Sequence, residues 1–312
     1  MTTAFSQFFL ERVKSPLREG VMLRDYSHFR IGGPADYFLE AKTVSELRTA
    51  IQSAREYSFP YYLVGGGHNL LFDDEGFRGL IIKNEVCGIK QKEKKGGIET
   101  LSGTPLASFV QFMMDQGLEG LEFMAGIPGT VGGAVFGNAG AFGQSVGNYL
   151  KRALLLQETG EEVEVKRDYF EFSYRHSFLK KKHDILLSAV FALEPGDKKK
   201  IRDRIEGNLK KRKEKHPPWE TACAGSYFKN PVLPDGTKVP AGYLLEQVGA
   251  KSARIGDAAV FSGHSNFLIN LGRARAQDVL LLAQELKEKV KGKFGVELEE
   301  EVIYVPASSS MP

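Results

Sequence analysis

Cysteine is nearly absent: Cys87 and Cys223 are the only two in 312 residues. Two thiols cannot cross-link a small secreted scaffold, and they form no CxxC pair or metal-ligand spacing. A reducing, cytoplasmic compartment is expected. Long hydrophobic runs are missing too, since no stretch approaches the roughly 18 apolar residues that mark a membrane span. The opening MTTAFSQFFLERVKSPLREG puts Glu11, Arg12 and Lys14 where a signal peptide needs its apolar run. Neither secretion nor a membrane partner is expected. Charge of one sign is also lacking: 42 Lys and Arg against 39 Asp and Glu leave only +3. That is too little to argue for nucleic acid, so any acidic ligand must be bound locally. His68, His176, His216 and His264 show neither i,i+4 pairing nor an HExxH pattern, so no metal site is expected. The single tryptophan, Trp219, lies beside Pro217 and Pro218 and reads as hinge packing rather than a stacking platform.

What is present describes a folded globular protein, with 42% hydrophobic and 26% charged residues. At roughly 100 to 200 residues per domain, the length suggests two domains or one with a large appendage. Glycine is the outlier, 34 of 312 residues, or about 11% against a usual ~7%.

Residues 36 to 83 read as an α/β alternation: a strand around Tyr37–Leu39, an amphipathic helix, then strands at Tyr61–Val64 and Leu80–Ile82. Thr43 followed by Glu46 is a capping-box pattern, and Leu47, Ile51 and Ala54 recur at helical spacing. A second unit follows Lys95, with a strand at Ile98–Ser102 and a helix at Leu106–Gln116. From Lys198 to Lys215 ten basic residues face three acidic ones. Ile201, Ile205 and Leu209 recur every four residues there, so a solvated helix between two domains is favoured over a nucleic-acid patch. Two more amphipathic helices are predicted at Tyr243–Val248 and around Val279–Val290, the second closed by Gly292 and Gly295. The polar end ASSSMP is expected to fray.

Two glycine runs stand out. Gly65, Gly66 and Gly67 in LVGGGHNLL follow a strand directly, and successive glycines can turn backbone N–H groups toward an anion. The run lacks a P-loop ending and GxGxxG spacing, so alone it is equally a tight turn. The second, GIPGTVGGAVFGNAGAFG, lies within 31 residues holding ten glycines, interleaved with apolar residues as no flexible linker would be. Together the runs could clamp one dinucleotide. Tyr174 and Arg175 could be an exposed strand end or supply a fixed cation for a carboxylate. Ser226 follows the small residues Ala224 and Gly225, with Lys229 and Asn230 just after, and no GxSxG elbow marks it as a hydrolase nucleophile. Glu299, Glu300 and Glu301 could be only a solvated run.

Taken together, FRIGGPADYF, GGGHNLL with GFRGLII, the second glycine run, SYRHSF, AGSYFKNP, AGYLLEQVGAKSARIGDAAVFSGHSNFLIN and FGVELEEEV resemble, in order and over nearly the whole chain, the UDP-N-acetylenolpyruvoylglucosamine reductase family. These are flavoenzymes of bacterial peptidoglycan precursor synthesis. The resemblance implies an α+β protein: a PCMH-type FAD-binding region of two α/β lobes, about 1–85 and 86–195, a basic linker helix at 196–216, and a C-terminal α+β substrate-binding domain at 217–312 whose last strand could return to the first lobe. The short interval after Arg175 resembles the family type without an extra substrate-covering loop.

It further implies that Gly65, Gly66, Gly67, His68, Asn69, Leu70, Gly126, Ile127, Pro128, Gly129, Gly132, Gly133, Asn138 and Gly140 line non-covalent FAD. Arg175, Ser226 and Glu301 take the catalytic positions, and Tyr174, Lys215, Lys229 and Asn230 are candidates for holding substrate. The implied reaction reduces UDP-N-acetylglucosamine enolpyruvate to UDP-N-acetylmuramate. NADPH reduces the flavin and leaves, hydride then passes to the enolpyruvyl C3, Arg175 with Glu301 stabilises the enolate, and Ser226 protonates C2. A monomer acting on this small molecule is expected.

Three departures from the family pattern stand out: His68 replaces a usual Ser, Ile303 a usual Arg, and GAKS a usual GLKG. The backbone nest does not need the side chain at 68, so weakened rather than lost FAD binding is expected. His68 also opens an alternative, a PCMH-type FAD oxidase with flavin covalently linked to His68. A catalytically silent binding protein is a third reading, against which intact Arg175, Ser226 and Glu301 count.

Overall fold

Thr43 caps the helix Val44–Glu56 as its sequence predicts: its side chain accepts from the Glu46 N–H, and the Glu46 carboxylate accepts from the Thr43 N–H in return. The computed structural model describes residues 4–93, 96–233 and 236–308, so the terminal residues 309–312 of the expected frayed tail lie outside the described residues. The capped helix covers a four-stranded sheet in the order Arg18–Met22, Pro34–Ala41, Phe77–Asn84, Tyr61–Val64. The last three strands run parallel, as a crossover helix requires.

A second, antiparallel sheet has the order Glu162–Lys166, Leu150–Leu156, Ile185–Ala192, Gly97–Leu101, Ile89–Glu93. The helix Leu106–Gln116 packs on it and stops at Gly117, which takes the left-handed φ of 65° that ends helices at little cost. The two sheets share a core: Leu47, Ile51 and Ala54 of the first unit cluster with Leu156, Ile185 and Leu187 of the second.

The C-terminal part holds a four-stranded antiparallel sheet, Cys223–Ser226, Phe267–Asn270, Ala258–Val260 and Arg254–Ile255, against helices Ala241–Gln247 and Ala276–Phe294. The longer helix runs through Gly292 and ends only at Gly295, whose φ is 67°. A helix interior tolerates glycine, so only the second of the two expected stops acts as one. The chain then returns to the first unit, where Ile303–Val305 pairs in parallel with Leu70–Phe72. Among the described residues no helix is long and apolar enough to cross a membrane.

The basic helix Lys198–Lys215 is not simply solvated. Ile201 and Ile205 join the core of the second unit. Asn208 Nδ2 donates to the Glu122 carbonyl at 3.0 Å, and Arg212 Nε to the Ala125 carbonyl at 2.9 Å. The helix therefore braces the chain just before Gly126.

Candidate active site

A cleft of about 1650 Å³ opens between the units, floored by the two glycine runs and walled by the basic helix and the C-terminal sheet. Pockets for a single small ligand occupy roughly 300–1,000 Å³, so this one has room for two.

The glycine floor is built by close approach. A Cβ on Gly66 would stand 2.8 Å from the Gly129 Cα, and one on Gly65 would stand 2.5 Å from Thr130 Oγ1. Gly67 adopts φ 68°, where a Cβ would collide with the Tyr26 carbonyl. Side chains are excluded at these three positions, so the turn that follows the strand Tyr61–Val64 presents bare backbone to the cleft. Among the described residues the N–H groups of Gly65, Gly66, Gly67 and His68 donate to no protein acceptor, as an anion-binding nest requires. Gly129, at φ 114°, faces open space.

Every glycine-run residue singled out in the sequence lines the cleft, but two use their side chains elsewhere. Asn138 donates to the Ser173 carbonyl at 2.7 Å and accepts from the Gly147 N–H at 3.0 Å. Asn69 donates to the Glu301 carbonyl at 3.0 Å, and its own carbonyl accepts from the Ile303 N–H. Each ties the glycine floor to a segment carrying a candidate catalytic group.

Those groups converge. Arg175 sits in a tight turn closed by mutual hydrogen bonds between Ser173 and His176, at φ 55°, a left-handed conformation uncommon for a residue with a side chain. Its Nη1 donates to the Gly140 carbonyl at 3.0 Å, and its Nε lies 2.7 Å from Glu301 Oε1. This is a close ion pair in which the Nε–H points off the line to the carboxylate, leaving that donor without a hydrogen bond. Both side chains are largely buried at the cleft wall. The Glu301 N–H donates to the Tyr227 carbonyl at 2.7 Å, which sets Glu301 beside the residue following Ser226. Gly225, at φ 79°, breaks the strand register there, and Ser226 lines the cleft.

Tyr174, Lys215 and Asn230 also line the cleft, and the Asn230 N–H donates to the Tyr174 hydroxyl at 3.2 Å across the unit boundary. Lys229 is outside the lining and pairs with Glu299 at 2.8 Å, anchoring its own loop.

An arginine–glutamate pair, a strand-borne serine and a glycine floor drawn from distant parts of one chain form a pattern to compare with known proteins. Residues 217–305 match the model of the UDP-N-acetylenolpyruvoylglucosamine reductase C-terminal domain, and residues 35–166 match an FAD binding domain. The UDP-N-acetylenolpyruvoylglucosamine reductase of Clostridium novyi is 36% identical over 297 residues, 95% of this chain and 94% of that protein. That of Protochlamydia amoebophila is 37% identical over 95% of this chain and 96% of its own. The chain belongs to the UDP-N-acetylenolpyruvoylglucosamine reductase family. The crystal structure of the enzyme from Thermus caldophilus superposes with a TM-score of 0.77 at 33% identity, covering 93% of this chain and 100% of that one.

Within this family member, sequence reasoning missed several cleft residues. Lys180, Arg212 and Lys238 all face the cavity. Lys238 Nζ lies 3.1 Å from the centre of the Tyr174 ring, and Arg212 stands over Phe142 at 5.5 Å. Trp219 departs from the expected hinge packing: it is 60% exposed, lines the cleft, and forms an aromatic ledge with His28 and His68.

Burial, aided by His28 and Lys83, pushes the His68 imidazole down from 6.5 to about 4. Burial beside Arg212, His264 and Lys215 pushes His216 down to about 4 as well. Both rings are therefore neutral when folded near neutral pH and bind protons near 6.5 only when unfolded. Between those values the unfolded chain binds more protons, so stability is lost as pH falls from about 6.5 toward 4 and levels off below. At ~1.4 kcal/mol per pH unit, His68 contributes up to about 3 kcal/mol across that window. Thermal melts at stepped pH will show the fall, and His68→Ser will remove roughly half of it and leave the share of His216; an unchanged slope would mean that His68 contributes none of it.

Proposed function

We infer that this chain is an FAD-dependent UDP-N-acetylenolpyruvoylglucosamine reductase of peptidoglycan precursor synthesis, drawing electrons from NADPH and acting as a monomer in the cytoplasm. The observation that carries this reading is the Arg175–Glu301 pair at 2.7 Å, hydrogen-bonded through backbone to the Ser226 segment and set on the glycine floor. The floor fits a dinucleotide: bare backbone, free N–H donors, and no room for a Cβ where the runs meet. Gly65 to Leu70 and the run from Gly126 to Gly140 would hold FAD without a covalent bond, and the flavin when bound supplies hydride.

The chain's own groups account for the rest. The cavity wall carries Arg175, Lys180, Arg212, Lys215 and Lys238, an excess of cations suited to a substrate bearing a diphosphate and a carboxylate. Reduction of an enolpyruvyl ether pushes charge onto the carboxylate end of the double bond. The guanidinium of Arg175, held by Gly140 and Glu301, is preorganised to meet that charge. Ser226 would deliver the proton to C2; serine is a weak acid, but a carbanion-like carbon is a strong base, so position matters more than acidity. Tyr174 and Asn230, hydrogen-bonded to each other, would close on the sugar nucleotide from both units.

The test is an anaerobic spectral titration of the purified protein. Flavin absorbance will bleach with NADPH and return with UDP-N-acetylglucosamine enolpyruvate, and acid precipitation will release the colour into the supernatant. Return with oxygen alone together with colour kept in the pellet, both lost in His68→Ser, would instead favour the oxidase with flavin on His68.

A further inference from the structure

Lys180 sits where a lysine is not expected. It closes the short 3-10 turn Phe178–Lys180, whose Leu179 is buried, and this draws its side chain inward to the cleft wall instead of outward to water. Its Nζ lies 5.6 Å from the centre of the Phe136 ring and, among the described residues, forms no ion pair. It donates instead to the backbone carbonyl of Arg175 at 2.9 Å. That acceptor belongs to the residue held at φ 55°. A left-handed arginine turn persists only where its surroundings over-determine it. The Ser173–His176 bonds close the turn, the Gly140 carbonyl and Glu301 fix the far end of the side chain, and Lys180 grips the near end.

We propose that Lys180 is a positioning residue for the reduction: by clamping the Arg175 carbonyl it fixes the left-handed turn and so the direction in which the guanidinium meets the substrate. The proposal rests on the reading of Arg175 given above. It explains why a half-buried cation stands here without an ion-pair partner among the described residues: its ligand is a carbonyl, and its charge adds to the field felt by an anionic substrate. The charged and titratable groups facing it are Arg175 and His176 in the same segment, Lys229 from the C-terminal unit and Glu301 from the returning chain. Burial first and then Lys229 lower its proton affinity, Glu301 opposes them, and Arg175 adds the smallest lowering effect. The clamp is therefore strongest while Lys180 is charged and weakens, losing its charge assistance, as pH rises through the lowered value.

Lys180→Met and Lys180→Arg separate this role from mere packing. In anaerobic stopped flow, NADPH reduction of the flavin serves as the reference half-reaction, where substitution of a cleft-wall cation should cost both variants less than it costs reoxidation. Reoxidation by saturating substrate should slow about 10- to 100-fold in Lys180→Met, the cost of a misdirected group, and recover to within a few-fold in Lys180→Arg. The alkaline limb of the reoxidation rate should move upward in Lys180→Arg, whose guanidinium does not titrate. Unimpaired reoxidation in Lys180→Met would overturn the proposal. So would equal impairment of both variants together with a lowered melting temperature. If the unmodified protein, bleached by NADPH, is not reoxidised by the sugar nucleotide, the functional reading fails before any variant is made.

Discussion

Ser226→Ala will bleach with NADPH as the unmodified protein does, yet its flavin will regain colour with the enolpyruvyl substrate about 10²- to 10⁴-fold more slowly, the usual contribution of a placed proton donor. The asymmetry follows from the position of the residue. Ser226 ends the strand Cys223–Ser226, and the left-handed Gly225 releases that strand from its register so that the serine meets the cleft. The GGGHN floor belongs to another unit and has no contact to lose when one oxygen is removed. Ser226→Cys, which keeps a proton at the same place, should recover part of the rate. Equal slowing of both half-reactions would point to damage at the cofactor, and no slowing of either would remove the serine from the chemistry and favour the silent binding protein.

Much of the fold can be read from local signals, because those signals act locally. The Thr43–Glu46 box and the Gly117 stop each set one helix end through contacts within a few residues. The strand Ile303–Val305 has three residues, too few to show a period, and its partner Leu70–Phe72 lies more than two hundred positions away. Parallel pairing at that separation has no local signature, so only the resemblance suggested that the chain returns. The basic helix shows the same limit. Ile201 and Ile205 mark its apolar stripe, but nothing in a run of lysines and arginines distinguishes the one, Arg212, whose guanidinium binds the carbonyls ahead of Gly126.

The candidate site residues were named only through the resemblance, and their connections could not be read at all. Taken singly, Arg175, Ser226 and Glu301 could each be structural or surface residues, and the structure adds that Asn69 and Asn138, expected beside the cofactor, spend their amides holding the Glu301 and Arg175 segments. Lys180 lies five residues past Arg175 in a stretch that looks like an ordinary charged surface turn. Trp219, expected to pack in a proline hinge, turns outward because His28 places its Nε2 3.1 Å from the Trp219 carbonyl and its Nδ1 2.9 Å from that of Cys223, holding the backbone while the indole stays exposed.

Arg175→Lys will test whether direction matters as much as charge at this site. Lysine keeps the positive charge but cannot reach the Gly140 carbonyl and Glu301 together, so its ammonium meets the substrate from an unfixed position. Removal of one preorganised donor from a charge-stabilising site typically costs about 10²–10³-fold in rate, and the loss should fall on reoxidation by substrate. Glu301→Gln frees the guanidinium at its other end and should cost a comparable amount. Because the two side chains form one unit 2.7 Å apart, the double variant should be little worse than the more damaged single variant. Losses that multiply would mean that Glu301 acts separately from Arg175, as part of the proton path to Ser226 instead of as the orienter of the arginine. The Glu301 N–H bonded to the Tyr227 carbonyl makes that outcome structurally coherent, so the double variant decides between two definite roles for one carboxylate.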